Sequence, residues 1–305
     1  MAIPFTRGRS ARPAAILAAQ AVALLIACSA ASAATTYEGF SDAQPVAIEG
    51  YTASAMEPFI SPDGQQLLFN TSNVPPAVPS LQLASRAAGQ SFEYQGPLAG
   101  EGVNEPGTLS GTPSMDAAGE VYFISNRSYE QTLSTVYSGQ LSAGVVSGVH
   151  LVSGVSAPRP GLVDFDASVS PGGEALYVSV GDFSSGTGPT SATVAVFNRS
   201  GSGFTLDPLS SKLLKPVNKP RMLDYAACVS SDGLELFFTR EKPPTGEPAI
   251  YRAYRRKLGK PFGHVQRVSA ITGFSEAPSL TADGRTLYYH HLGNGKFEIE
   301  TVTRP

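Results

Sequence analysis

Five carboxylates are the residues of this sequence whose types and spacing could do chemistry. Glu57, Asp164, Asp166, Asp224 and Glu276 lie three to five residues ahead of apolar positions that recur along the chain, Ile60, Val169, Val229 and Leu280. Carboxyls crowded into one site raise one another's pKa, and when ionised they bind a cation such as calcium. Two of them at a defined separation form the acid and base of glycoside hydrolysis. The mechanical alternative is that small and acidic residues fill narrow strand starts where bulky ones would clash. Other chemistry is scarce. The sequence has no G-x-S-x-G elbow, H-E-x-x-H pair, Walker loop or G-x-G-x-x-G turn, which argues against the standard hydrolases, zinc proteases and nucleotide enzymes. His290 and His291 are adjacent, so on a strand they point to opposite faces and do not share a metal. His150 and His264 fall in rim regions, and Cys228 reads as a buried, inert thiol.

The elements that would position the acids come from an internal repeat. Five segments read EPFISPDGQQLLF from Glu57, TPSMDAAGEVYF from Thr112, DASVSPGGEALYV from Asp166, AACVSSDGLELFF from Ala226 and APSLTADGRTLYY from Ala277. Aligned on Ile60, Met115, Val169, Val229 and Leu280, they are 55, 54, 60 and 51 residues apart. Each reads as a β-hairpin. Asp63-Gly64, Asp232-Gly233 and Asp283-Gly284 supply tight turns, with Gly119 and Gly173 in the same place in the other two. The runs that follow, such as Leu67-Leu68-Phe69 and Leu287-Tyr288-Tyr289, are apolar on consecutive residues, as expected of strands covered on both faces.

Two weaker strands follow each hairpin: Leu81–Ala84 and Phe92–Tyr94, Val136–Leu141 and Val149–Val152, Val194–Phe197 and Phe204–Leu206, Ile250–Tyr254 and Phe262–Val268. Four strands per unit of about 50 residues make a propeller blade. After the fifth hairpin only Phe297–Thr303 remains, a third strand without a fourth. FSDAQPVAIEG from Phe40 precedes the first hairpin as FGHVQRVSAITG from Phe262 precedes the fifth, so the N-terminal segment is expected to supply the missing outer strand and leave no open blade edge. The expected fold is an all-β propeller of five four-stranded blades. Six blades are the alternative if residues 181–192 or 207–223 hide further strands.

The Ser61-Pro62-Asp63-Gly64 turn, the aromatic strand after it, the Ile124-Ser125-Asn126-Arg127 tail and the Arg86, Gly89, Phe92 spacing resemble the TolB-type, WD-repeat-like β-propeller repeats. The resemblance covers nearly all of the chain after its leader and implies fold rather than activity, since such propellers include periplasmic scaffolds and peptidase-associated domains. The chain departs from it at Ala118-Gly119 and Gly172-Gly173, where the turn Asp is missing. In a propeller the inner strands converge on an axis, so Glu57, Asp164, Asp166, Asp224 and Glu276 become a candidate ligand-binding ring at one channel mouth.

Residues 1–33 read as a secretory signal: Arg7, Arg9 and Arg12, an apolar run from Ala14 to Ala27, then Ala31-Ser32-Ala33. The run is too short to span a bilayer, which takes about 20 residues. Residues 34–305 are then a single propeller domain, periplasmic or secreted. Leu25-Ile26-Ala27-Cys28 also fits a lipoprotein box, which would acylate Cys28 and make an outer-membrane lipoprotein. Loss of the leader moves the formal charge from −3 to −6, against a nucleic-acid or anionic-membrane partner. The basic stretches Lys212–Arg221 and Arg252–Lys260 read as solvated turns. No cofactor is expected beyond a calcium ion the acids could hold, and the chain reads as a monomer. The expected function is a binding or scaffold module for an envelope protein, peptide or glycan. A carbohydrate-active enzyme using axial carboxylates is the alternative.

Overall fold

The computed structural model describes residues 39–186, 188–244 and 246–305. The proposed signal segment and Cys28 lie outside them. Two N-terminal strands, β1 (Ser41–Pro45) and β2 (Ile48–Glu49), precede the repeats. The first blade contains β3 (Met56–Ile60), β4 (Gln66–Asn70), β5 (Leu81–Ser85) and β6 (Phe92–Pro97). The second contains β7 (Ser110–Met115), β8 (Glu120–Ser125), β9 (Val136–Ser142) and β10 (Val145–Leu151). In the third are β11 (Leu162–Val169), β12 (Ala175–Asp182), β13 (Ala192–Ser200) and β14 (Gly203–Leu206). The fourth has β15 (Leu223–Val229), β16 (Glu235–Glu241), β17 (Ala249–Tyr254) and β18 (Gly263–Arg267). The last has β19 (Ser275–Leu280), β20 (Thr286–Gly293) and β21 (Lys296–Thr303), with β1 antiparallel to β21 as its outer strand. Each inner strand packs on the next, and β19 packs on β3, so the sheets close into a ring. The fold is a β-propeller.

The N-terminal segment does more than the repeat implies. After leaving the last blade, it adds β2 parallel to β6 on the outside of the first. One short stretch therefore straps the seam where chain start and chain end meet. The connections suspected of hiding a sixth blade hold none among the described residues. The one after β14 carries a short helix, α1 (Ser210–Leu213), whose Leu213 joins the core between the third and fourth blades.

Consecutive apolar residues in the second strands are explained by the packing. Leu67 and Phe69 join the cluster shared with the last blade, whereas Leu68 faces the second blade. Likewise Leu236 and Phe238 face the third blade and Phe237 faces the last. All six are fully buried, each stabilising the ring by roughly 1.5–3 kcal/mol. The core is thus five apolar seams, one between each pair of neighbouring blades.

Turn chemistry holds even where the Asp-Gly pair is missing. Ser61, Ser230 and Thr281 each accept the amide five residues on, and Ser170 accepts Ala175 N–H at 3.0 Å. In the second blade Asp116 stands at that position and accepts Ala118 and Glu120 N–H at 2.9 and 3.0 Å. A carboxylate two residues earlier in the turn replaces the absent one. The third-to-fourth strand linker also recurs. Arg86, Arg199, Arg255 and Arg304 donate Nε–H to the carbonyls of turn residues Gly64, Gly173, Gly233 and Gly284. Each guanidinium lies over an aromatic ring, Phe92, Phe204, Phe262 and Phe40 respectively, at 4.2–4.8 Å. Phe40 comes from the N-terminal segment, so β1 brings its own aromatic peg to the last blade.

Candidate functional site

The inner strands are bulged where they approach the axis. In four of them the bulge falls between the residues four and one before the aligned apolar position, and the residue in its middle has positive φ: Glu57 at 53°, Thr112 at 49°, Ala226 at 49° and Ala277 at 54°. Such values are uncommon for non-glycine residues and are sustained by surrounding structure. Here that support is a hydrogen bond from the next sheet. The amides of Glu57, Thr112, Ala226 and Ala277 donate to His290 Nδ1, Asn70 Oδ1, Ser179 Oγ and Thr239 Oγ1, at 3.0, 3.0, 2.9 and 3.0 Å. Each acceptor lies on the second strand of the preceding blade, ten residues past its aligned position. The third blade departs from the rule. Its bulge falls between Asp164 and Asp166, and Ser125 Oγ, at the acceptor position, is buried without a partner.

These residues floor a cavity of about 230 Å³ at one mouth of the axis. Glu57, Asp166, Glu241 and Glu276 bring carboxyls to it, His290 and Thr112 add to the floor, and Phe165, Phe183 and Tyr225 make a wall. Phe165 sits edge-on to Phe183, with centroids 5.6 Å apart, and 5.8 Å from the Tyr225 ring. Phe183 and Pro189 come from the long β12–β13 connection. Further along the axis lie two small voids of about 30 and 20 Å³, lined by the inner strands and their turns. The cavity narrows away from its mouth.

Three of the five expected acids reach this cavity and two do not. Asp224 is fully buried within the fourth blade, where Oδ1 accepts Arg240 Nε–H at 2.6 Å and Oδ2 accepts the Lys219 amide at 2.8 Å. Asp164 is 2% exposed, its Oδ2 has no partner, and burial pushes its carboxyl up to about 7. Both lie five residues before the aligned position, Asp224 beyond its bulge and Asp164 at the edge of its own, whereas Glu57 and Asp166 lie three before it. Sequence reasoning missed His290, Tyr225, Glu241 and the aromatic wall. His290 does point away from His291, as strand geometry requires, and is 1% exposed.

The carboxyls are held differently. Glu276 accepts the Tyr225 hydroxyl on Oε1 and His290 Nε2–H on Oε2, the latter at 3.0 Å. Because His290 Nδ1 accepts the Glu57 amide, its proton resides on Nε2, and the imidazole is fixed in one tautomer. Glu57 accepts Asn73 Nδ2–H at 3.0 Å and the Thr112 amide at 3.3 Å. Burial raises its carboxyl, with the Glu276 charge adding to the effect. Asp166 is 8% exposed and receives one long bond, from Ser179 Oγ at 3.4 Å. Burial, then the neighbouring Glu57, push its carboxyl up to about 8. Burial and Glu276 also raise Glu241. Among the described residues, no three His, Cys, Asp or Glu side chains are grouped to hold a metal ion.

Solved structures share this architecture. The endo-arabinase from Bacteroides thetaiotaomicron VPI-5482 matches with TM-score 0.54 and 10% identity, over 88% of this chain and 98% of its own. A structure described as a glycoside hydrolase matches with TM-score 0.54 and 11% identity, over 88% of this chain and 91% of its own. TolB from Acinetobacter baumannii matches with TM-score 0.47 and 13% identity over 83% of this chain, which spans 55% of that TolB's length. No family profile and no curated protein sequence matches. At such identities the likeness establishes the β-propeller and transfers no residue's role. No helix among the described residues is long and apolar enough to cross a membrane.

Proposed function

We propose that the chain is a non-enzymatic binding module of the cell envelope or extracellular space, a TolB-type propeller whose ligand seats in the axial cavity. The observation that carries this is the convergence of Glu57, Asp166 and Glu276, from three different blades, with an aromatic wall on one recess. Side chains from separate blades meet there because the ring is rigid, which suits a preformed site. The volume of about 230 Å³ is below the roughly 300–1,000 Å³ of drug-sized ligand sites. The recess therefore takes one residue-sized group, such as an end unit of a glycan, a peptide terminus or one side chain of an envelope protein.

The test is a thermal-shift screen of the purified protein against mono- and oligosaccharides, short peptides and calcium. A ligand at 100 times its dissociation constant stabilises the fold by about 2.7 kcal/mol, and that gain should shrink in Asp166→Asn. Silence across all classes would remove the axial recess as a ligand seat.

One observation favours a second reading, glycoside hydrolysis. Asp166, pushed up to about 8, stays protonated at neutral pH and shares the recess with Glu276, which accepts two hydrogen bonds. Carboxyls whose environments differ in this way serve as acid and base. Release of reducing sugar from an oligosaccharide, abolished by Asp166→Asn, would favour the enzyme over the binding module.

A further inference from the structure

We infer that the group seated in the axial recess is an organic ammonium, as in an amino sugar, a peptide N-terminus or a lysine-type side chain. This rests on the recess being the ligand seat and names the chemistry it selects. Among the described residues, four carboxyls line the recess and no Lys or Arg does. His290 supplies no free cation or donor, since Nε2–H is spent on Glu276 and Nδ1 accepts the Glu57 amide.

Hydrogen-bonding capacity points the same way. The Tyr225 hydroxyl is committed to Glu276, and Asn73 Nδ2 to Glu57. What remains open is almost all acceptor. The Glu241 side chain makes no hydrogen bond, and Asp166, 8% exposed, has one long bond to Oδ1 and none to Oδ2, an oxygen that accepts once an adjacent cation ionises the carboxyl. The Thr112 hydroxyl is a spare group that can donate. A neutral sugar hydroxyl seeks donors as well as acceptors, and an anion needs donors alone, whereas an ammonium brings donors and needs only acceptors. An anion would also be repelled by the carboxylates.

The wall completes the match. Phe165, Phe183 and Tyr225 lie edge-to-face or tilted against one another at 5.6 and 5.8 Å, three rings side by side on one flank. Aromatic rings attract a cation that reaches their faces, most of all where water is displaced. Carboxylates on the floor and aromatic rings on the side form a cage for a positive, partly apolar group of limited size.

The experiment compares glucosamine with glucose, and tetramethylammonium chloride with sodium chloride, by thermal shift and calorimetry at matched ionic strength. Glucosamine and tetramethylammonium are expected to bind and to raise the melting midpoint, with glucose and sodium chloride inert. Glu241→Gln, which breaks no hydrogen bond within the fold, and Phe183→Leu should each weaken binding by about tenfold. Glucose binding as well as glucosamine, or sodium chloride reproducing the tetramethylammonium shift, would overturn the ammonium assignment. Glucose binding would leave the ligand seat standing. Ammonium binding unchanged in both variants would place it elsewhere and also overturn the assignment. No response to any sugar, peptide or amine would dispose of the seat itself.

Discussion

The amide of Glu57, in the first blade, donates to Nδ1 of His290, in the last, at 3.0 Å. That bond closes the ring at the seam joining chain start to chain end, and it also sets the tautomer through which His290 reaches Glu276. His290→Ala would leave a half-buried amide and a carboxylate each short of one partner. The expected cost of about 1–3 kcal/mol corresponds to a melting midpoint lower by roughly 2–8 °C. His290→Asn should recover part of it, because Asn70 performs the same task for Thr112. Equal midpoints for His290→Ala and the parent would show the closing bond to be dispensable.

Cys228 occupies a place that serine fills in two other blades. Its sulfur accepts the Leu280 amide at 3.4 Å, as Ser114 accepts Val169 and Ser279 accepts Ile60. Burial pushes the thiol up to about 11. Cys228→Ser is therefore expected to change stability by under about 1.5 kcal/mol, and the native thiol should resist an aromatic disulfide reagent at pH 8 until denaturant is added. Rapid labelling of the folded protein would contradict this burial.

Glu235 ties three strands together. Its carboxylate is ion-paired with Arg252, whose Nε lies 2.8 Å from Oε1, and accepts from both terminal nitrogens of Arg304, at 3.1 and 2.6 Å, with its side chain 3% exposed. Replacing it with Gln removes the Glu235 charge that both guanidinium groups share, a loss of about 3–5 kcal/mol. Urea unfolding should show a lower midpoint with unchanged slope. A smaller loss than for His290→Ala would mean that the Arg side chains find water instead.

The fold was legible because every blade must solve the same local problems, and the solutions recur at fixed offsets: the turn acceptor, the doubly buried second strand, the Arg–aromatic linker. The site was legible only in part. Glu57 and Asp166 could be found because they lie three residues before the aligned position, in the sequence repeat itself. Asp164 and Asp224 share its acidity but not its offset, and the bulge puts them past the cavity floor. His290 was obscured for a different reason. The acceptor position holds Asn70, Ser125, Ser179, Thr239 and His290, which have in common a hydrogen-bonding atom and no sequence similarity. Phe183 lies in a connection that no repeat constrains.

Asp166 should make stability depend on pH. Its carboxyl is raised from 3.8 to about 8 in the fold, so between those values the native state holds a proton that the unfolded chain has lost. Fewer protons bound in the unfolded state means that stability falls as pH rises through this window, by up to about 1.4 kcal/mol per pH unit for one group. It is fully present below about pH 4 and gone above about pH 8. Asp164, raised to about 7 by burial, adds a slope of the same sign. Glu57 and Ser179 face Asp166, and Cys228 feels its charge, so Asp166→Asn removes one proton from a coupled set. The variant should show a flatter stability profile between pH 5 and 8 than the parent. Parallel profiles would mean that Asp166 is ionised in the native state.

Gly181 offers a way to alter the aromatic wall without touching a carboxylate. A Cβ there would stand 2.8 Å from both Phe165 Cε1 and Phe183 Cε2, too close for either ring to keep its place. The Gly181 backbone is ordinary strand, paired with Val163 and Ala192, so alanine costs nothing in φ. The rings must swing away from β12, and the open side lies towards the recess. Gly181→Ala is expected to cost about 1–3 kcal/mol of stability and to weaken glucosamine and tetramethylammonium by about tenfold. Calorimetry on Gly181→Ala beside Glu241→Gln would separate the two halves of the cage. If the alanine variant binds as the parent does while Glu241→Gln does not, the carboxylates alone hold the cation and the rings only exclude water.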